Sequence, residues 1–173
     1  MDTTQALRKE FNCPAHISDK TINDAWNAML LDTPPERITM IETLKKTYRV
    51  FLLSNSNKVH IDRVLEIGER DLGTDVFRDK WGKRLFDKIY YSYEIGFRKP
   101  DVDAFEFVVN DARLVKEETL FVDDTIRHVR GGMAAGLNVW WIDKEWPLTR
   151  IAEIIDVIES GEKQDIPLQL QPY

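Results

Sequence analysis

Apolar positions recur at helical spacing through residues 17–31, where Ile22, Ala25, Trp26, Met29 and Leu30 share one face. Ser18 stands as N-cap, and Ile17 and Ile22 are placed to staple the helix entry. Thr33-Pro34-Pro35-Glu36 predicts a second helix start, with proline at the first helical position and Glu36 completing a capping box. Ile38, Ile41, Leu44 and Tyr48 form its stripe. The pattern then changes. Four short apolar runs, over residues 50–53, 88–92, 119–123 and 137–142, predict buried parallel strands. Helical patterns at Val102/Phe105/Val109/Ala112 and Ile126/Val129/Met133 lie between the later runs, punctuated by Pro100 and Gly136. A last helix is expected over 148–160, with Ile151, Ile154, Ile155 and Ile158 on one face and Gly161 after it. Residues 1–11 read as a polar helix and 162–173 as a tail. The charged stretch 68–84, with Gly68, Gly73 and Gly82, reads as a loop or short helices.

Strand and helix alternating over residues 50–142 predict a Rossmann-like three-layer α/β sandwich with a mainly parallel sheet. The expected division is a helical segment 1–47, an α/β core 48–160 and a tail 161–173.

Composition narrows the function. The net charge of −6 and the lack of any Lys/Arg run argue against a nucleic-acid partner. No apolar run is long enough to span a bilayer, and the N-terminus has neither a basic nor an apolar leader region, so no membrane partner is expected. The single cysteine, Cys13, forms no intrachain disulfide and has no zinc-like partners. A cytoplasmic protein is expected.

Ligands of an open parallel sheet bind beyond the carboxyl ends of its strands. There the sequence puts Ser54 and Asn55 after the first strand, Lys99 before the helix that follows the second, and Asp123 and Asp124 at the end of the third. Hydroxyl and amide donors, an ammonium and adjacent carboxylates together suit a phosphate ester with a divalent cation. Taken singly, each has a structural reading: Ser54-Asn55 as turn formers, Lys99 as a solvated lysine, Asp124 as a helix N-cap.

The ordered set FLLSNSN (51–57), GFRKPD (96–101) and LFVDDT (120–125), with GMAAGL (132–137), resembles the haloacid dehalogenase (HAD) superfamily in its phosphatase branch with a helical cap. The helix holding Ala25-Trp26 and the following SNSNKVH (54–60) are similar to bacterial sugar-phosphate phosphatases of the glucose-1-phosphate type. The resemblance implies a Mg²⁺-dependent hydrolase of small phosphate monoesters acting through an aspartyl-phosphate. It implies catalytic roles for Lys99 and Ser54, substrate contacts from Ser54, Asn55 and Lys99, and Mg²⁺ ligation by Asp123 and Asp124. Residues 1–47 would then be the remnant of a helical cap and its linker helix.

Two departures bear on this. His128 stands where the fourth motif often has asparagine, and it reads as a helix-surface histidine with a packing or solvent role. The first family motif, an apolar strand ending in Asp-x-Asp, is absent from the sequence, and with it the expected central strand, the nucleophile and one Mg²⁺ ligand. Turnover by the chain as given is therefore not expected, and self-association through an open sheet is. The alternatives are a 2-haloacid dehalogenase, which would need no metal, and a non-catalytic HAD-like binding protein. His16 and His60 read as structural, and the tryptophans as packing. A serine nucleophile elbow is improbable without its glycines, and Gly131-Gly132 lies inside a helical pattern rather than after a strand, which rejects a dinucleotide fingerprint.

Overall fold

The computed structural model describes residues 3–73 and 85–142, together with Ile151 and Ile155, and the chain divides into two compact units, Met1–Gly96 and Phe97–Tyr173.

In the first unit, α1 (Thr3–Glu10) packs on α2 (Asp19–Asn27) through buried Leu7 and Ile22. Buried Thr4 donates its hydroxyl to Asn23 Oδ1 at 2.8 Å. Ser18 caps α2, its hydroxyl accepting from the Thr21 N–H at 3.1 Å. Next come α3 (Pro35–Leu44), β1 (Phe51–Ser54), α4 (Lys58–Leu72), β2 (Lys88–Tyr91) and the single turn α5 (Ser92–Ile95). β1 and β2 pair in parallel, from Phe51↔Lys88 to Ser54↔Tyr91. Ile38, Leu85 and Phe86 form a buried core against which Leu52, Leu72 and Ile89 pack.

In the second unit, α6 (Val102–Ala112) and a 3₁₀ turn (Lys116–Glu118) lead to β3 (Leu120–Asp123), α7 (Ile126–Ala134) and β4 (Asn138–Trp141). β3 and β4 are again parallel, from Leu120↔Asn138 to Asp123↔Trp141. Phe105 of α6 meets Phe121 of β3 edge to face, with ring centroids 5.0 Å apart. α7 lies close against its neighbours because Gly131 and Gly132 have no side chains. A Cβ on Gly131 would come within 2.2 Å of the Pro100 carbonyl oxygen, and one on Gly132 within 2.8 Å of the Phe121 ring.

The expected strands and the helices starting near residues 18, 34, 102 and 126 are therefore present, and both ladders are parallel. Four details differ. The capping box at the third helix does not form. A residue preceding proline avoids the helical region, so Pro34 stays extended as the cap and Pro35 opens α3. The Thr33 N–H instead bonds Asp71 Oδ2 at 3.0 Å. Ser92 leaves the second strand and opens α5. The charged stretch after residue 67 begins as helix, because α4 continues to Leu72. Asp124 is not the cap of α7; Thr125 occupies that position. The helix expected over 148–160 lies outside the described residues apart from Ile151 and Ile155, both helical, and so do 74–84 and the tail.

Candidate functional site

β3 is a short apolar run in the second unit that ends on Asp123, whose carboxylate is buried. A buried carboxylate must be compensated, and three donors converge on this one. Lys99 Nζ donates to Oδ2 at 2.7 Å, and the Thr125 backbone N–H donates to Oδ1 at 2.8 Å. His128 Nδ1 lies 3.2 Å from Oδ1 and 3.3 Å from Oδ2. Burial by itself would raise the Asp123 pKa, but the hydrogen bonds from Lys99 and Thr125 and the nearby positive charge bring it below the ordinary carboxylate value. Asp123 is thus held ionised in a poorly hydrated place.

Lys99 is only 7% exposed, which excludes the solvated-lysine reading. Its position follows from local structure: the turn before α6 carries it, and the Pro100 carbonyl that follows rests against Gly131 of α7. The Lys99 ammonium also lies over the Phe121 ring, 5.5 Å from its centroid, within cation–π range. Asp124 is exposed, and its backbone oxygen accepts from Trp141 Nε1 at 3.0 Å, tying the β3 end to β4.

His128 corrects the expectation of a surface histidine. It is buried on the face of α7 turned to β3, with Nδ1 on Asp123 and Nε2 buried without a hydrogen-bond partner. One turn of helix carries it from Thr125 back over the strand end, which the sequence pattern did not distinguish from an outward position.

In the first unit, Ser54 closes β1 and Asn55 opens the turn into α4. Asn57 caps α4, its side chain accepting from the His60 N–H at 3.0 Å. Ser92 fastens the turn from the end of β2: its hydroxyl accepts from the Ser56 N–H at 3.2 Å and donates to the Ser56 carbonyl at 3.1 Å. His60 stacks on Trp26 with centroids 5.2 Å apart, and its Nε2 is 3.3 Å from the Trp26 carbonyl oxygen, in keeping with a structural role.

Of the residues singled out in the sequence, Lys99 and Asp123 are in direct contact and Asp124 adjoins them, whereas Ser54 and Asn55 belong to the first unit. His128, Ser92 and Gly131 were missed as site residues. The one available signal was the spacing of His128 and Gly131, three apart on the helix that follows Asp123. Asp123 and Asp124 offer hard oxygen donors, one of them held ionised, and so fit a hard divalent cation that keeps waters. They are a partial set, since among the described residues no group of three or more His, Cys, Asp or Glu is placed to hold a metal.

The chain is 27% identical over 128 residues to D-ribitol-5-phosphate phosphatase of Bacteroides thetaiotaomicron, a match covering 74% of this chain and 59% of that protein. It is 32% identical over 184 aligned positions to drimenol cyclase drtB of Aspergillus calidoustus, covering 95% of this chain and 32% of the relative. The chain therefore spans less than two thirds of the length of these curated relatives. Among solved structures, a HAD-family enzyme of Bacteroides thetaiotaomicron in complex with magnesium and inorganic phosphate superposes with a TM-score of 0.72 at 27% identity, over 85% of this chain and 71% of that one. The family model for haloacid dehalogenase-like hydrolases matches residues 13–136, the greater part of the sequence, and the chain belongs to that family.

Proposed function

We propose that this chain carries the phosphate-handling part of a Mg²⁺-dependent hydrolase of small phosphate monoesters. The observation that carries the reading is the buried Lys99–Asp123 pair at the carboxyl end of β3, with Asp124 beside it in solvent. A purely structural ion pair is a poor investment at such a place, because desolvation offsets much of its attraction. An ammonium that can move from carboxylate to phosphate gives the burial a use. In this reading Lys99 neutralises the phosphate, Ser54 and the Asn55 region donate hydrogen bonds to its oxygens, and Asp123 with Asp124 holds the cation. Mg²⁺, when bound, would supply positive charge to a phosphoryl oxygen. The HAD-family enzyme solved with magnesium and phosphate supports the cation and anion classes together. Residues 1–47 are read as part of a helical cap and 48–160 as core.

The reaction requires a nucleophilic aspartate, which in the family comes from a first motif, an apolar strand ending in Asp-x-Asp, that the given sequence does not show. The reading therefore expects no turnover by the 173 residues alone. The test is to assay the chain, and a version preceded by a strand ending in Asp-x-Asp, against a phosphate-ester panel with Mg²⁺. Mg²⁺-dependent turnover restored by the added strand and lost in K99M or D123N is expected. Equal, robust turnover by the unextended chain would refute the assignment of the nucleophile. Turnover of a 2-haloacid without metal would favour the dehalogenase alternative. No turnover by either version would favour a binding protein.

Two substrate classes deserve the panel. The D-ribitol-5-phosphate phosphatase match favours a polyol or sugar phosphate. The drimenol cyclase match runs over 95% of this chain at higher identity, and a sesquiterpene phosphatase of Aspergillus oryzae is 40% identical over 53 residues; together they favour a terpenoid phosphate. A higher kcat/KM for D-ribitol 5-phosphate than for a sesquiterpenyl phosphate selects the first class, and the reverse order the second.

A further inference from the structure

We infer that His128 is a positioning residue that restricts Asp123 to ligating its cation through one oxygen, and so selects a small octahedral ion over Ca²⁺. The inference rests on the metal role proposed above for Asp123. An ionised carboxylate only accepts, so the imidazole nitrogen facing it, Nδ1, carries the hydrogen. Nε2 is then the bare acceptor. That agrees with its lack of a partner in a buried place, where an orphaned N–H is rarer than an under-used lone pair.

The nearly equal separations, 3.2 and 3.3 Å, put Nδ1 on the plane that bisects the two carboxylate oxygens. A cation chelated by both oxygens must lie on that same plane, at about 2.3–2.6 Å from each for Ca²⁺. The ring nitrogen and a chelated ion would therefore crowd one another on that plane. The rest of the carboxylate is also engaged: Thr125 N–H takes a position on Oδ1 and Lys99 one on Oδ2. Of roughly four lone-pair positions, three donors leave room for one further bond. Mg²⁺ is satisfied by one oxygen per carboxylate and retained waters, whereas Ca²⁺ draws on chelating carboxylates to reach its larger coordination number. An alanine-like gap at 128 would permit both modes.

The experiment uses the full chain and Mn²⁺ as probe, read by loss of its free electron-paramagnetic-resonance signal, with Mg²⁺ and Ca²⁺ as competitors. Wild type, H128L, which removes the donor, and H128N, which keeps one, are compared after thermal unfolding shows each is folded. The ratio of Ca²⁺ to Mg²⁺ affinity should rise about ten-fold in H128L and stay within about three-fold of wild type in H128N, on the scale usual for groups that orient metal ligands. Imidazole ¹⁵N shifts of the metal-free wild type should show His128 protonated at Nδ1. An unchanged ratio in H128L, or a ring protonated at Nε2 and bare at Nδ1, overturns the inference alone. Failure of the wild-type chain to bind any of the three ions overturns the metal reading and this inference with it.

Discussion

The two strand ends that carry the candidate chemistry are built on opposite principles. At the end of β1, the turn holding Ser54 and Asn55 is fastened by neutral hydrogen bonds among half-buried groups: Ser92 to both polar atoms of Ser56, and Asn57 to the His60 N–H. At the end of β3, charge does the fastening, with the carboxylate of Asp123 and the ammonium of Lys99 both removed from water. Neutral bonds exchange cheaply with water and each contributes little net stability, while a buried charge is expensive to leave without its partner. The first arrangement therefore tolerates change and the second does not.

The comparison is broken most severely at Lys99. K99M leaves Asp123 buried with its strongest donor removed and should cost about 3–5 kcal/mol of folding stability, measured by urea unfolding. The double variant K99M/D123N should be less destabilised than the sum of the single changes, because the uncompensated charge has gone. Equal costs for K99M and for a Ser92 substitution would erase the distinction between the two strand ends.

Acid sharpens the same contrast. Asp123 has a folded pKa below its ordinary value of 3.8, so its contribution is fully present above that value and is lost as pH falls through the lower folded value. Urea midpoints followed from about pH 5 to pH 2 should fall less steeply in D123N than in wild type.

Packing around Lys99 gives the next effect. G131A would place a methyl group against the Pro100 carbonyl oxygen, and since backbone yields less readily than a side-chain tip, a loss of about 1–3 kcal/mol is expected. A crystal structure of that variant should show the Lys99–Asp123 separation lengthened. At the softer site, S92A removes both hydrogen bonds to Ser56 and should cost about 1 kcal/mol, and N57A, which uncaps α4, about the same. Both are read by thermal unfolding.

Legibility followed the range of the forces involved. Helix starts at Ser18 and strand ends at Ser54 and Asp123 were readable because caps, periodicity and short apolar runs are local signals. The start of α3 was displaced by one residue because two consecutive prolines offered two registers, and the conformational restriction on the residue before proline decided between them. α4 was not singled out beforehand, although Asn57 as cap and Val64 and Ile67 behind it were visible.

By itself the sequence determined the alternation of strands and helices, the parallel pairing it implies, and the residue types waiting at each strand end. It could not determine which of those side chains leave water. Taken singly, Lys99 was equally readable as a solvated lysine, and His128 looked like a surface histidine, until α7, drawn in by Gly131 and Gly132, closed over the end of β3. Burial is a property of the whole packed unit; it sets the number of donors Asp123 must gather, and those donors keep it ionised. No window of sequence contains that information, because the residues that exclude the water are brought together only by the fold.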